Sequence, residues 1–491
     1  MVAVYSGMTW TQNPIQTPRT ATTSRSWIPC TLHAKGIGCN VDLAAVTEIV
    51  SRQDRPSILG GNPTKSNADG FTYWAAEPRD VFEFRPGHGN PFDQLQNILA
   101  RYRLAGVSSE TPLPTGLFRG GWIGYFGYEL GRYIETLGQT TVEDIEMPLI
   151  RLAFYDRLLA YDHHAEAFWA LALEMPDDTE SPAQKLAAME TTLDESRSAH
   201  PIEPRAVDVE GVDFSTIRSN IAKDDYLRAI ERAKRYIYDG EIYQVNLSQR
   251  FERRFTGRPI DLFHWQNRHN PSGYAAYIDT GDIQIVSASP EMFLTIENGR
   301  IRTQPIKGTR PRLGADEAAN RRNFDDLLNS EKEQAELNMI VDLERNDLAR
   351  ICRPGTRHVT QPRTVETFPT VFHAVATVGG QLRGDVDFCE ILRAVFPGGS
   401  ITGAPKIRAM QIIDELEPTA RGVYTGSIGF VGLDGTACLN IAIRTVIIAG
   451  QKAYVQSGGG IVADSAPEAE WEETITKARA LLAGLEAVRT P

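Results

Sequence analysis

Lys307 lies in the segment Thr303-Gln-Pro-Ile-Lys-Gly-Thr-Arg-Pro-Arg312, whose residue types suit nucleophilic chemistry. An ammonium beside further cations, here Arg310 and Arg312, has reason to lose its proton and become a nucleophile. Gly308 follows directly, and a glycine lets the backbone turn or pass close to whatever the lysine faces. Ser289-Pro290-Glu291 ends sixteen positions earlier in the chain. A carboxyl and a lysine on neighbouring strands could serve as proton donor and nucleophile. Taken alone, either residue is more often a solvated surface charge, so the reading depends on what the rest of the chain supplies.

Two acidic helical segments supply carboxylates. Glu333 and Glu336 are three residues apart and share a helix face, as do Glu470 and Glu473, with Lys477 one turn further on. Carboxylates converging from two helices would form an all-oxygen site for Mg²⁺, while the bland alternative for each segment is a solvated helix face. The clusters Phe396-Pro-Gly-Gly-Ser-Ile-Thr-Gly-Ala-Pro-Lys406 and Ser457-Gly-Gly-Gly-Ile-Val462 could present amides to a carboxylate or phosphate, or could be plain tight turns. Arg444 falls within the apolar run Leu439-Asn-Ile-Ala-Ile-Arg-Thr-Val-Ile-Ile448, which predicts a buried strand. A guanidinium there needs an anionic partner, unless the position is an edge that leaves it in solvent. His373 is either a satisfied core histidine or a hydrogen-bond donor in a site.

The elements that must position these residues predict an α+β fold with large, mainly antiparallel sheets packed together and helices outside. Residues 1–25 read as a flexible arm, and residues 26–175 as an N-terminal lobe of short alternating segments. Residues 176–212 read as an acidic helix and linker, and residues 213–491 as the catalytic core. Helical spacing marks Lys223 to Tyr238, with Gly240 placed to end the helix. Tyr243, Val245 and Leu247 alternate with polar residues as in a half-buried strand, and a last helix runs from about Pro467 to Val488. The glycine-dense stretch Gly116 to Gly131 suggests close backbone packing and lacks the register of a dinucleotide site.

Composition narrows the function classes. The chain has 491 residues, 42% of them hydrophobic and 23% charged, as in an ordinary soluble globular protein. A formal net charge of -12 argues against a nucleic-acid footprint but permits a locally positive pocket for an anionic substrate. Five scattered cysteines without a CxxC pair favour a reducing compartment, with the cytoplasm as the default, and no structural zinc.

As an ordered set, the stretches IYQVNLSQRF, SASPEMFL, PIKGTRPR, ELNMIVDLERNDL, FPGGSITGAPKIRAMQIIDELEP, GVYTGSIGF and SGGGIVADSAPEAEWEET resemble the chorismate-utilising enzymes. That family includes anthranilate, aminodeoxychorismate, isochorismate and salicylate synthases. The match runs from about residue 220 to 485, and the N-terminal part resembles the lobe that precedes this core in anthranilate and aminodeoxychorismate synthases. Within the family, aminodeoxychorismate synthases carry PIKGT where anthranilate synthases usually have alanine at the lysine position. The resemblance therefore implies that Lys307 attacks C2 of chorismate, with Glu291 as general acid/base. It further implies Mg²⁺ on Glu336 and Glu473, with Glu333 and Glu470 close behind. Tyr424, Arg444, the amides of Gly458, Gly459 and Gly460, and Lys477 would grip the carboxylates; Thr402 and His373 would line the ring pocket. The segment Ser57-Ile-Leu-Gly-Gly-Asn62 lacks the Leu-Leu-Glu-Ser pattern of tryptophan-inhibited anthranilate synthases. No glutaminase triad motif is present, so ammonia is expected from a separate glutamine amidotransferase subunit or from free ammonium. Anthranilate, isochorismate or salicylate formation remains the nearest alternative, and a silent chorismate- or amino-acid-binding regulator the non-enzymatic one.

Overall fold

The computed structural model describes residues 27–61, 70–201, 204–314, 316–368 and 371–489. The flexible arm expected over residues 1–25 lies outside the described residues, as does Asn62. Two large sheets dominate, one of thirteen strands and one of ten. Their ladders are antiparallel except where Ile28–Ile37 pairs in parallel with Tyr102–Ser109. The α+β architecture expected from the sequence is the one observed.

Both sheets draw strands from either side of the 176–212 segment, which itself holds the helix Pro182–Ser196. Leu59 pairs with Ala276 in the larger sheet, and Ser427–Gly432 pairs with Gly121–Phe126 in the smaller. Gly124 has no room for a side chain, because a Cβ there would collide with the Arg151 carbonyl of the next strand. One continuous apolar core joins residues of both sheets, for example Ile285 with Phe293, Leu294 and Trp122. A second core lies on the far face of the larger sheet under the helices Pro182–Ser196, Pro259–His269 and Pro467–Ala487. Because both faces are covered, strands such as Thr445–Ala449 read as unbroken apolar runs: Ile447 enters the first core, Val446 and Ile448 the second.

Local signals explain the helices near the site. Lys223–Tyr238 buries Tyr226, Ala229, Ile230 and Ala233, carries Asp224 and Asp225 in its first turn, and is followed by Gly240 at φ 78. Glu331–Ala349 starts at Ser330, whose hydroxyl accepts from the Glu333 amide. Pro467–Ala487 opens on proline with Glu468 and Glu470 in its first turn.

Two expectations change. The strand Gln244–Arg254 is buried on both faces from Gln244 to Phe251, not half-buried: Val245 and Leu247 enter the core with Tyr226, Gln249 meets Thr474 of the last helix, and on the other face Ser248 meets Glu417; Tyr243 lies exposed just before it. The run Leu439 to Ile448 is not one strand. Ala437–Asn440 belongs to the smaller sheet and Thr445–Ala449 to the larger, and Ile441 to Arg444 carries the chain between them.

A buried ion pair ties these pieces together. Glu417, just after the helix Lys406–Leu416, accepts from Arg421 Nε at 2.9 Å and Nη2 at 2.6 Å, with the two side chains 3% and 1% exposed. Arg421 also donates to the carbonyls of Asn246 at 2.8 Å and Ile401 at 3.1 Å, while Glu417 accepts from the Ser248 amide and hydroxyl. Replacing Glu417 with alanine leaves that guanidinium buried without a counter-charge, so we expect a loss of ~3–5 kcal/mol, read as a lower urea midpoint. Removing the exposed Arg228 partner of Asp225 should cost no more than about 1 kcal/mol in the same titration.

Candidate active site

The lysine strand, Ile306–Pro311, forms an edge of the smaller sheet and pairs with Val371–Gln381. Gly308 sits at φ 96, and a Cβ there would meet Leu327 Cδ1 at 2.7 Å and Glu333 Oε2 at 2.8 Å. Only glycine allows the acidic helix to approach this closely. Lys307 is half-buried, and its Nζ donates to the Ser400 carbonyl at 2.9 Å, within the Phe396–Lys406 glycine cluster. Burial pulls its ammonium below the ordinary lysine range, and Lys477 adds to this, against Glu291 and Glu336, which favour the charge. The neighbours Arg310 and Arg312 are not the cause. Arg310 is paired with Asp326 and Glu333, and Arg312 donates to the Phe368 carbonyl.

Glu291 is buried at the point where the chain leaves Ile283–Ser289 in the larger sheet for Met292–Glu297 in the smaller. Its Oε1 accepts from the Ile306 amide at 3.3 Å. Burial raises its carboxyl above the ordinary range, opposed by the Ser400 side chain and by Lys307. Glu291 thus bonds the backbone one residue before Lys307, while Lys307 itself is held by Ser400, a residue of the glycine cluster that the sequence did not single out. In this dry setting the neutral amine and the protonated acid are both favoured.

The carboxylates of the two acidic helices lie near enough to act on one another. Burial raises the Glu336 carboxyl, and Glu333 and Glu473 raise it further, while Lys307 and Lys332 oppose them. Glu470 is raised likewise by burial and by Glu473, although Ser465 donates to it at 2.6 Å. Glu333 turns one oxygen to Arg310 at 2.8 Å and leaves Oε2 buried without a partner. Glu473 is held by Lys477 at 2.6 Å. Mutually repelling carboxylates offering only oxygen suit a hard dication. Among the described residues no three acidic, histidine or cysteine side chains are gathered closely enough to hold a metal by themselves.

The expected grip on anions is distributed more widely. Gly458, Gly459 and Gly460 are not in a loop but in the strand Lys452–Ile461, paired with Gln244–Arg254. The neighbouring strand Thr445–Ala449 pairs only as far as Val455, so the second edge of these glycines has no strand partner. Lys477 Nζ donates to the Gly458 carbonyl at 3.0 Å. Arg444 is half-buried with a left-handed backbone at φ 50, and no hydrogen bond or ion pair of its guanidinium is found among the described residues. Burial pulls it below the usual range without releasing its charge. His373 is buried against Phe368, bonds the Thr309 hydroxyl at 2.8 Å, and is lowered to about 3 by burial and then by Arg444, so it is neutral. Thr402 spends its hydroxyl on the Gly398 and Gly399 carbonyls at 3.0 and 3.3 Å. Tyr424 is buried beside Arg421, and burial raises its phenol well above the ordinary range.

No helix among the described residues is long and apolar enough to cross a membrane. The family model described as "chorismate binding enzyme" matches residues 63–483. The chain is 40% identical over 397 residues to anthranilate synthase component 1 of Pseudomonas putida, covering 80% of this chain and 79% of that one. It is 36% identical over 441 residues to aminodeoxychorismate synthase component 1 of Bacillus subtilis, covering 89% and 90%. The crystal structure of anthranilate synthase component I from Streptococcus pneumoniae superposes with a TM-score of 0.70 at 34% identity, covering 86% of this chain and 94% of that one. With the lysine, acid and carboxylate helices placed as above, the chain belongs to the chorismate binding enzyme family.

Proposed function

We propose that the chain aminates chorismate to 4-amino-4-deoxychorismate, the precursor of 4-aminobenzoate. One observation carries the choice within the family: an amine, Lys307, lies in the site next to a buried acid, Glu291. Neutral Lys307 would bond to C2 of the ring as the diene shifts and the C4–O bond breaks. Glu291 would give its proton to the departing hydroxyl, which leaves as water. Ammonia would then bond to C4, the diene would shift back, and the lysine nitrogen would leave C2 with a proton returned to it. The enolpyruvyl group stays in place throughout.

Arg444, unpartnered within the protein, suits a bidentate hold on a substrate carboxylate, and the open edge of Gly458 to Gly460 offers backbone amides for the same work. Glu336 and Glu473 would hold Mg²⁺, with Glu333 and Glu470 behind them, and the bound ion would supply charge neutralisation at the ring carboxylate. His373, being neutral, lines the pocket without adding charge. Two of the relatives bear "component 1" names, which suits a separate glutamine amidotransferase subunit as the ammonia source. Five free thiols among the described residues suit the cytoplasm. Anthranilate formation is the competing reading, favoured by the 40% identity to an anthranilate synthase.

Incubation with chorismate, Mg²⁺ and ammonium should give 4-amino-4-deoxychorismate by mass and absorbance; anthranilate or isochorismate as main product sinks the proposal. Lys307→Ala should abolish or divert the reaction, and unchanged rate and product would remove the covalent step. The reactive pair, neutral Lys307 with protonated Glu291, holds one proton between the two groups. The pH profile of kcat should therefore be bell-shaped, falling in acid as Lys307 is protonated and in alkali as Glu291 loses its proton. Glu291→Gln should remove the alkaline limb along with most of the rate. Arg444→Leu should raise the chorismate KM by roughly 10- to 100-fold, the loss of charge-assisted hydrogen bonds.

A further inference from the structure

Four carboxylates gather near the starts of two helices, and one of them is tied to a cation that is itself held fast. Glu333 and Glu336 lie on Glu331–Ala349, Glu470 and Glu473 on Pro467–Ala487. They act on one another: Glu336 feels the charges of Glu333 and Glu473, and Glu470 that of Glu473. An oxygen site takes its affinity for a hard dication largely from the carboxylate charge it can bring to bear. The cations paired with these carboxylates therefore set that affinity too.

Two of the carboxylates are paired, and the pairs differ. Lys477 meets Glu473 at 2.6 Å one helical turn away, with side chains 45% and 49% exposed. Such a surface pair is weak and readily given up to an arriving ion. Arg310 is held from several sides. Its Nη1 donates to Glu333 Oε1 at 2.8 Å, with side chains 27% and 18% exposed, and to the Thr309 carbonyl at 3.0 Å. Its Nε donates to Asp326 Oδ2 at 2.6 Å. Acceptors on its own strand and on the helices Glu317–Asn329 and Glu331–Ala349 thus fix the guanidinium plane.

Glu333 is equally confined. Its Oε2 is buried without a partner, and a Cβ on Gly308 would lie 2.8 Å from it. The carboxylate is wedged between Arg310 and the backbone next to Lys307. Docking of the helix Glu317–Asn329 does not account for Arg310. Leu327 and Phe324 already pack that helix on Phe372, and Arg363 donates to its Leu328 carbonyl at 2.7 Å. What Arg310 adds is a positive charge on one carboxylate of the cluster.

We propose that Arg310 is a positioning residue that withholds Glu333 from the carboxylate cluster and so keeps the affinity of the substrate-free chain for a divalent cation low. Glu336 and Glu473 are left as the carboxylates that meet the ion, with the Glu333 charge already matched behind them. The inference rests on the reading of these glutamates as the Mg²⁺ site and adds to it the residue that sets how tightly the ion is held.

The test titrates the purified full chain, without chorismate, with Mn²⁺, which takes the same oxygen ligands as Mg²⁺, and reads the free ion by electron paramagnetic resonance. Arg310→Gln should tighten Mn²⁺ binding roughly tenfold, the scale of one carboxylate charge released beside the ion. Arg310→Lys, which keeps the charge, should stay near the wild-type affinity. Asp326→Asn releases the helix Glu317–Asn329 from the same guanidinium but leaves Arg310 on Glu333, so it should not tighten binding. In a Glu333→Gln background the gain from Arg310→Gln should vanish. Unchanged or weaker binding in Arg310→Gln overturns the proposal. Equal tightening in Asp326→Asn also overturns it, because the effect would then come from the helix, as does a gain that persists beside Glu333→Gln. Absence of saturable Mn²⁺ binding in the wild-type chain and in every variant, with chorismate present as well, would instead sink the metal reading itself.

Discussion

The pair of Arg421 and Glu417 holds the site together because its hydrogen bonds run to the ends of separate elements. Glu417 ends one helix and captures Ser248 on the strand beside the glycines. Arg421 fixes the Asn246 carbonyl on that strand and the Ile401 carbonyl in the turn that carries Ser400. Its own amide and that of Gly422 donate to Glu129, beyond the strand Gly121–Phe126 of the other sheet. A buried ion pair adds little net stability over an apolar replacement, since both ions lose their water. Its use here is orientation: an apolar pair would fill the space but would leave each of these backbone groups free to choose another partner.

The same scarcity of water sets the chemistry. Burial raises the carboxyls of Glu291, Glu336 and Glu470, and pushes Glu344 to about 8, where it accepts from Thr303 under the Ser400 turn. Burial lowers Lys307 and Arg444. Burial thus biases Glu291, Glu336, Glu470, Glu344 and Lys307 towards their neutral forms, whereas Arg444 cannot yield its proton. A dianionic substrate brought into such a pocket meets one unpaired guanidinium and a set of carboxylates that repel one another. If the proposed dication binds these carboxylates, it would relieve their mutual repulsion as the guanidinium offsets the charge of the anion.

Local order was legible in the sequence, and long-range pairing was not. Helical spacing located Lys223–Tyr238 to the residue, and the last helix, expected from about Pro467 to Val488, runs Pro467–Ala487. Gly308 announced a close approach, and the structure supplies its partner, Glu333. The cause assigned to the low basicity of Lys307 was wrong because adjacency in sequence was taken for adjacency in space. Arg310 and Arg312 alternate away along the strand and find their own partners, whereas the desolvation comes from elements a hundred residues distant. The glycines 458 to 460 looked like a loop because small residues without side chains resemble a turn; they are instead a strand in which Gly459 faces Glu470 and Glu473 of the last helix, while Gly458 and Gly460 leave room for Asn246 and Gln244 of the next strand. Arg421 and Glu417, four residues apart with no obvious pocket, had only their i, i+4 spacing to mark them.

Arg444 was the hardest residue to read, and its placement explains why the apolar run around it misled. The chain passes from the larger sheet to the smaller at Glu291 and returns at Ile441 to Arg444. The two crossings are laced together: Ile441 donates to the Glu291 carbonyl at 3.0 Å, Ser289 Oγ to the Ile441 carbonyl at 2.5 Å, and Ala288 to the Arg444 carbonyl at 3.1 Å. Thr425, entering the smaller sheet, donates to Ala442 at 2.8 Å, and both Thr425 and Arg444 are left-handed, at φ 58 and 50. Such conformations in residues other than glycine cost about 1–3 kcal/mol each and persist only where surrounding bonds over-determine them. At this crossing the backbone turns out of both ladders, and its side chains divide: Ile441 and Ala442 enter the core shared by the two sheets, whereas Arg444 stays half-buried with no partner among the described residues. Glu291 and Arg444, the groups proposed as proton donor and anion grip, therefore sit one on each crossing, and the left-handed backbone at Arg444 belongs to the strand junction through which the chain returns to the larger sheet.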